Sequence, residues 1–161
     1  VASGSAINLV KNILEGNNYL PDGISVFPYP LKGVEVSVHS PVNINIYDSS
    51  GNHTGPAING NFETNIPGSS YDTLDDAKFI FLPNNGSYDI KFAAADQGSF
   101  DFKIRKYEND TVSQEILYKD IPLTTSTTAE TQLDTSSSQS PIIHLDENGN
   151  GTIQDINPSS N

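Results

Sequence analysis

The residues of this chain best placed to do chemistry crowd near its C-terminus, in Asp146-Glu147-Asn148-Gly149-Asn150-Gly151-Thr152-Ile153-Gln154-Asp155-Ile156-Asn157. Side-chain oxygens stand at the first, third and fifth positions, on Asp146, Asn148 and Asn150. Gly151 follows at the sixth, where a chain wrapping a cation must turn sharply; Thr152 offers a backbone carbonyl at the seventh, and Ile153 anchors the eighth. Calcium takes about six to eight oxygen ligands, and alternate residues of such a loop can aim theirs at one point. Calcium is therefore the expected cofactor, with Asp146, Asn148, Asn150 and Thr152 as ligands and Asp155 joining only if the loop bends toward it. The twelfth position, where a bidentate carboxylate is usual, is Asn157. With a single carboxylate among the first three ligand positions, the dissociation constant should fall at the weak extracellular end, about 10⁻⁴ to 10⁻³ M. A metal-free Asn/Gly-rich turn between two short strands accounts for the same composition.

Catalysis needs a nucleophile beside a base, or paired acids in a pocket. His39, His53 and His144 are far apart in the chain, and no G-x-S-x-G elbow, H-E-x-x-H pair or phosphate loop is present. No catalytic residue is assigned, and the chain is expected not to be an enzyme, although triads assemble in space rather than in sequence. His39 falls on the polar phase of its segment, and His144 is expected to be exposed beside the loop. Asp72, Asp75 and Asp76 form a second acidic run without glycine-punctuated spacing, which reads as a solvated loop. The seven tyrosines and seven phenylalanines come without any Trp and fall mostly on apolar phases, as core residues do and as a sugar-stacking row would not. Asn-x-Ser/Thr sequons start at Asn52, Asn85, Asn109 and Asn150, about as many as chance supplies in so Asn- and Thr-rich a chain.

The whole composition narrows the setting. A chain of 161 residues suits one domain with tails. Its net charge of −12, from 20 acidic and 8 basic residues, repels nucleic acid and anionic membrane surfaces, so neither is an expected partner. Cysteine is absent, which removes disulfides, thiol nucleophiles and Cys-based zinc sites together. No apolar run reaches the length of a membrane span. Scarce basic residues with abundant Asn, Ser, Thr and Gly read as a secreted or cell-surface β-protein. The chain starts at Val1 and contains no Met, as expected of a piece of a longer polypeptide.

The elements that must position these residues begin with a short helix over Ala6–Leu14, its Ile7, Val10, Ile13 and Leu14 on one face, capped by Ser3 or Ser5 and ended at Gly16. Such a helix is marginal alone, so its stripe must pack on the β-domain or on an upstream domain. A proline-broken stretch from Tyr19 to Leu31 reads as a linker or strap. From Lys32 the period becomes two: Val34, Val36 and Val38, then Val42, Ile44 and Ile46, each alternating with polar residues. Thr54 to Asp76 predicts a long loop or short edge strands around Phe62 and Ile66. Ala77–Leu82 and Ser87–Phe92 predict a hairpin turning at Asn85-Gly86. Further strands follow at Phe100–Ile104, Val112–Tyr118 and Ala129–Leu133, and Pro141–Leu145 reads as one more before the loop. The expected class is mainly β, an antiparallel β-sandwich or jelly roll with one N-terminal helix. The expected organisation is helix and linker over 1–31, sandwich core over 32–133, and Ser-rich connector with calcium loop over 134–161.

The paired phrases Gly86-Ser87-Tyr88-Asp89-Ile90-Lys91-Phe92 and Gly98-Ser99-Phe100-Asp101-Phe102-Lys103-Ile104 resemble the G-x-Y-x-L-x-V strands of bacterial pre-peptidase C-terminal jelly rolls, modules that trail secreted hydrolases. The helix and broken linker look like the end of an α/β-hydrolase running into a C-terminal β-module of lipase-like proteins. The segment from Asp146 resembles a degenerate EF-hand or dockerin calcium loop. These resemblances imply a non-catalytic accessory module of an exported hydrolase, with the upstream catalytic domain as its partner and no catalytic residue of its own. The alternatives are a carbohydrate- or cell-wall-binding module, with cell-surface carbohydrate as partner, and a structural domain of a surface protein.

Overall fold

A computed structural model describes residues 4–17, 30–39, 41–58 and 60–160, with the side chains of residues 4–7 and 9 outside that description. The chain divides into two compact units, Val1–Pro30 and Leu31–Asn161. In the first, helix α1 spans Gly4–Leu14. Gly16, at φ +71°, donates its N–H to the Ile13 carbonyl at 3.2 Å, and Asn17 donates to that of Asn12 at 2.8 Å. These are the two bonds that end a helix through a left-handed glycine. The helix starts earlier than the apolar pattern, so Ser5 lies inside it; Ser3, the Ile7 side chain and most of the proline-broken stretch lie outside the described residues. Val10, Ile13 and Leu14 are exposed.

The second unit is an antiparallel β-sandwich. Its strands are β1 (Gly33–His39), β2 (Val42–Asp48), β3 (His53–Pro56), β4 (Phe62–Thr64), β5 (Ser70–Leu74), β6 (Ala77–Leu82), β7 (Ser87–Ala94), β8 (Gly98–Glu108), β9 (Thr111–Leu123), β10 (Thr128–Asp134), β11 (Ile143–Asp146) and β12 (Gln154–Ile156). One sheet has five strands in the order β5-β6-β1-β8-β9, and the other has seven in the order β12-β11-β10-β7-β2-β3-β4. Successive pairs wind together: β1 lies against β8 in one sheet while β2 lies against β7 in the other.

Alternation builds the core. Val34, Val36, Val38, Ile80, Phe102 and Ile104 point inward from the first sheet and Ile44, Ile46, Ile90, Phe92, Leu133 and Leu145 from the second, all buried in one cluster. Each such side chain contributes about 1.5–3 kcal/mol relative to exposure. Phe92 meets Phe102 edge-on at 5.0 Å and Phe100 at 5.4 Å, so the two similar sequence phrases face one another across the core.

One expectation changes and two are sharpened. Pro83–Gly86 is a crossover between sheets and not a hairpin, because β6 pairs β1 and β5 while β7 pairs β2 and β10. The Tyr88 hydroxyl donates to the Pro83 carbonyl at 2.9 Å and Asn85 Oδ1 at 3.1 Å, and that bracing shapes the bend. Thr54 to Asp76 holds β4, β5 and most of β3, with Ile66 buried between β4 and β5. Residues 134–161 contribute β11, within the strand read at Pro141–Leu145, and β12 to the seven-stranded sheet, and Ile143 and Leu145 of β11 join the core.

The flank where β9 forms the edge of its sheet is stitched by polar contacts. Lys106 Nζ donates to the carbonyls of Asp134 at 3.4 Å, Thr135 at 3.3 Å and Ser137. The Tyr118 hydroxyl donates to Pro141, Gln114 Nε2 to Ser138 at 3.0 Å, and Ser159 N–H to the Leu117 carbonyl at 2.7 Å. Among the described residues no helix is long and apolar enough to cross a membrane.

Candidate functional site

The outward face of the seven-stranded sheet gathers most of the chemistry-bearing side chains. The register places Asn45 opposite Lys91, Lys91 opposite Glu130, Glu130 opposite His144, and His144 opposite Asp155. One polar row of alternating character thus crosses five strands, with Thr128 and Asp146 paired beside it. Opposite charges side by side on a sheet support the pairing by about 0.2–1 kcal/mol each. Two of the hollows on this face matter most for chemistry. One, of about 840 Å³, is lined by Asn43, Asn45, Tyr47, His53 and Glu63 among others. The second, of about 690 Å³, is lined by Lys91, Thr128, Glu130, His144, Asp146 and Ile153 among others.

His53 is the most constrained histidine. Its Nδ1 lies 2.9 Å from Glu63 Oε2 and its Nε2 2.9 Å from Asn45 Oδ1, with only 14% of the side chain exposed. The ring stacks on Tyr47 at 4.9 Å and 28°, and Lys91 Nζ reaches 5.9 Å from the Tyr47 centroid. Gly55 makes room for this arrangement: at φ +149°, a Cβ there would stand 3.0 Å from His53 Nε2 and 2.8 Å from the Ile44 carbonyl oxygen. Both ring nitrogens are engaged by neighbouring side chains, Nδ1 by Glu63 and Nε2 by Asn45, and among the described residues no hydroxyl reaches either. It ties β3 and β4 to β2.

His144 is half exposed, with Nδ1 2.7 Å from Asp155 Oδ1. Among the described residues no hydroxyl bonds its other nitrogen. His39 lies on the five-stranded sheet, edge-on to Phe79 at 6.0 Å. The three histidines therefore sit in separate places. Asp72 is exposed on edge strand β5, and Asp75 and Asp76 form the β5–β6 turn, with Asp75 at φ 54°.

The predicted cation loop is the turn of the β11–β12 hairpin. Asp146, at the end of β11, accepts the N–H of Asn150 on Oδ1 at 3.1 Å and that of Gly151 on Oδ2 at 2.8 Å. Asn150 Oδ1 accepts the Thr152 N–H at 2.9 Å. Gly149 and Gly151 take φ of +65° and +83°, the conformations that glycine adopts freely. The root is anchored: the Glu147 carbonyl accepts the hydroxyls of Thr124 at 2.7 Å and Thr127 at 2.6 Å. The structure thus ties Asp146, Asn150 and Thr152 into one turn with Asn148 exposed in it, and holds Asp155 on β12 with His144. Among the described residues no three His, Asp or Glu side chains converge as a metal group.

The Glu63–His53–Asn45 cluster escapes sequence reading. Its members come from three strands with no motif spacing, and the available signal was only that Asn45 and His53 flank the Asp48–Asn52 turn, which folds β3 back on β2. Comparison with protein-family models, with curated proteins and with solved structures finds no match for this chain.

Proposed function

We propose that this chain serves as a non-catalytic accessory β-sandwich of an exported hydrolase, stabilising or anchoring a catalytic domain upstream in the same polypeptide, with a weakly held calcium ion in the 146–157 turn. The observation that carries this reading is the disposition of the acid–base groups. The inward faces of both sheets are filled with apolar side chains, and both histidine–carboxylate pairs lie on an outward sheet face over open hollows. The scarcity of basic residues and the abundance of Asn, Ser, Thr and Gly suit a secreted or cell-surface setting. Helix α1 is the element we assign to the junction with the catalytic domain.

The residues present fit a cation held weakly. Asp146, Asn148, Asn150 and the Thr152 carbonyl are gathered in one turn, while Asp155 joins only by giving up His144. Calcium would supply charge and rigidity to a hairpin that otherwise rests on amide hydrogen bonds. Excess calcium is expected to raise the melting temperature, by about 1.4 kcal/mol of stability at tenfold above the dissociation constant. Asp146→Ala should remove the effect; melting curves that coincide in calcium and in EDTA contradict it.

A second reading, recognition of cell-surface carbohydrate, draws on the hollow beside Asn43, Asn45 and Glu63. It has less support, because the ring of Tyr47 is already stacked by His53 and approached by Lys91.

A further inference from the structure

Asn-Gly pairs are chemically fragile. The glycine backbone nitrogen attacks the asparagine Cγ, the Cγ–Nδ2 bond breaks, and ammonia leaves carrying the proton lost from the backbone N–H. Water then opens the cyclic imide at either carbonyl, leaving aspartate or isoaspartate. The step needs no oxidant or cofactor, and glycine favours it because no Cβ shields the attacking nitrogen. What controls it in a folded chain is whether that N–H and the side-chain amide are free.

Three such pairs lie in described turns, and the structure treats them differently. At Asn85-Gly86, the Gly86 N–H donates to Thr135 Oγ1 at 3.2 Å and Asn85 Oδ1 accepts the Tyr88 hydroxyl at 3.1 Å. At Asn150-Gly151, the Gly151 N–H donates to the Asp146 carboxylate at 2.8 Å, whose charge opposes loss of the proton, and Asn150 Oδ1 is held by Thr152 N–H at 2.9 Å. At Asn148-Gly149 both residues are exposed, and among the described residues neither the Gly149 N–H nor the Asn148 side chain has a hydrogen-bond partner. We infer that Asn148 is a self-modification site: it deamidates in the folded protein while Asn85 and Asn150 are spared. In the fraction that opens to α-aspartate a second carboxylate stands at the third position of the loop and makes that turn a better oxygen cage, whereas isoaspartate inserts a methylene into the backbone and alters the turn. That consequence rests on the calcium reading above; the deamidation itself does not.

The test is peptide mapping by mass spectrometry of the folded chain kept warm in mildly alkaline buffer over days. The expected result is a gain of about 1 Da at Asn148 ahead of Asn85 and Asn150, and its absence in Asn148→Gln. In Asp146→Ala the Gly151 N–H is released, and Asn150 is expected to convert as well. Conversion first at Asn85 or Asn150, an unmodified Asn148 while a free peptide of the same segment converts, or continued sparing of Asn150 in Asp146→Ala overturns the proposal. Calcium is read separately through Asn148→Asp, which should enlarge the calcium-induced melting shift. If that shift is unchanged while Asn148 still deamidates selectively, the calcium reading fails and the modification stands.

Discussion

Burial pushes the hydroxyls of Tyr71 and Tyr118 up to about 12 from the ordinary 10.0. A tyrosine whose pKa is raised on folding stays neutral in the native state while the unfolded chain ionises. Its contribution is fully present below pH 10 and is lost as pH climbs through about 12. Chemical denaturation across the alkaline range should therefore show stability falling above pH 10, and the fall should shrink in the Tyr71→Phe, Tyr118→Phe double variant. The single variants should differ at neutral pH. Tyr118 donates to the Pro141 carbonyl, so Tyr118→Phe is expected to cost about 1 kcal/mol. Among the described residues the buried Tyr71 hydroxyl has no partner, so Tyr71→Phe should be neutral or stabilising by about 1 kcal/mol. Residue chemistry of this kind was only partly legible in sequence. The turn from Asp146 announced itself because its oxygens and glycines are consecutive and local. The pairing of His53 with Glu63 and Asn45, or of Asp155 with His144, depends on strand register, which spacing does not carry.

At the scale of elements, alternation was the readable signal, because a half-buried strand imposes a period of two on its own residues. It placed Val34, Val36 and Val38, and Tyr88, Ile90 and Phe92, on the buried side where the structure has them. It could not say which strand pairs with which. Ala77–Leu82 and Ser87–Ala94 look like a hairpin by local pattern but belong to different sheets, since hydrogen-bond partners come from distant parts of the chain. The short strands β3 and β4, the latter at the sheet edge, were blurred because they hold few apolar residues and are fixed by a side-chain cluster instead. That cluster makes Gly55 a sensitive point. Gly55→Ala should destabilise the sandwich by about 1–3 kcal/mol and raise amide exchange in β3 and β4. Gly51→Ala, at φ +82° with nothing within 4 Å of the added carbon, meets only the left-handed backbone penalty of about 1 kcal/mol. Equal effects in the two variants contradict the packing account of His53 over Gly55.

At the scale of the molecule, two sheets bury their apolar faces against each other, and the polar flank along β9 is closed by Lys106, Tyr118, Gln114 and the Ser159–Ser160 segment. The sandwich class followed from the number and spacing of alternating segments, and the N-terminal helix from its own period. The strand β11 was readable at Pro141–Leu145, but its pairing with β10 and the short partner strand β12 were not, because β12 has only three residues and follows a turn rich in polar ones. The outward face of the seven-stranded sheet carries the charged row and the hairpin turn. The central claim is that this fold supplies support without a reaction centre. It is tested most directly by assaying purified residues 31–161 for turnover of ester, peptide and glycoside substrates, with His53→Ala and His144→Ala measured beside it. The account predicts no saturable turnover above buffer in any of the three proteins; saturable hydrolysis by the unsubstituted unit that either histidine variant abolishes while remaining folded would contradict it.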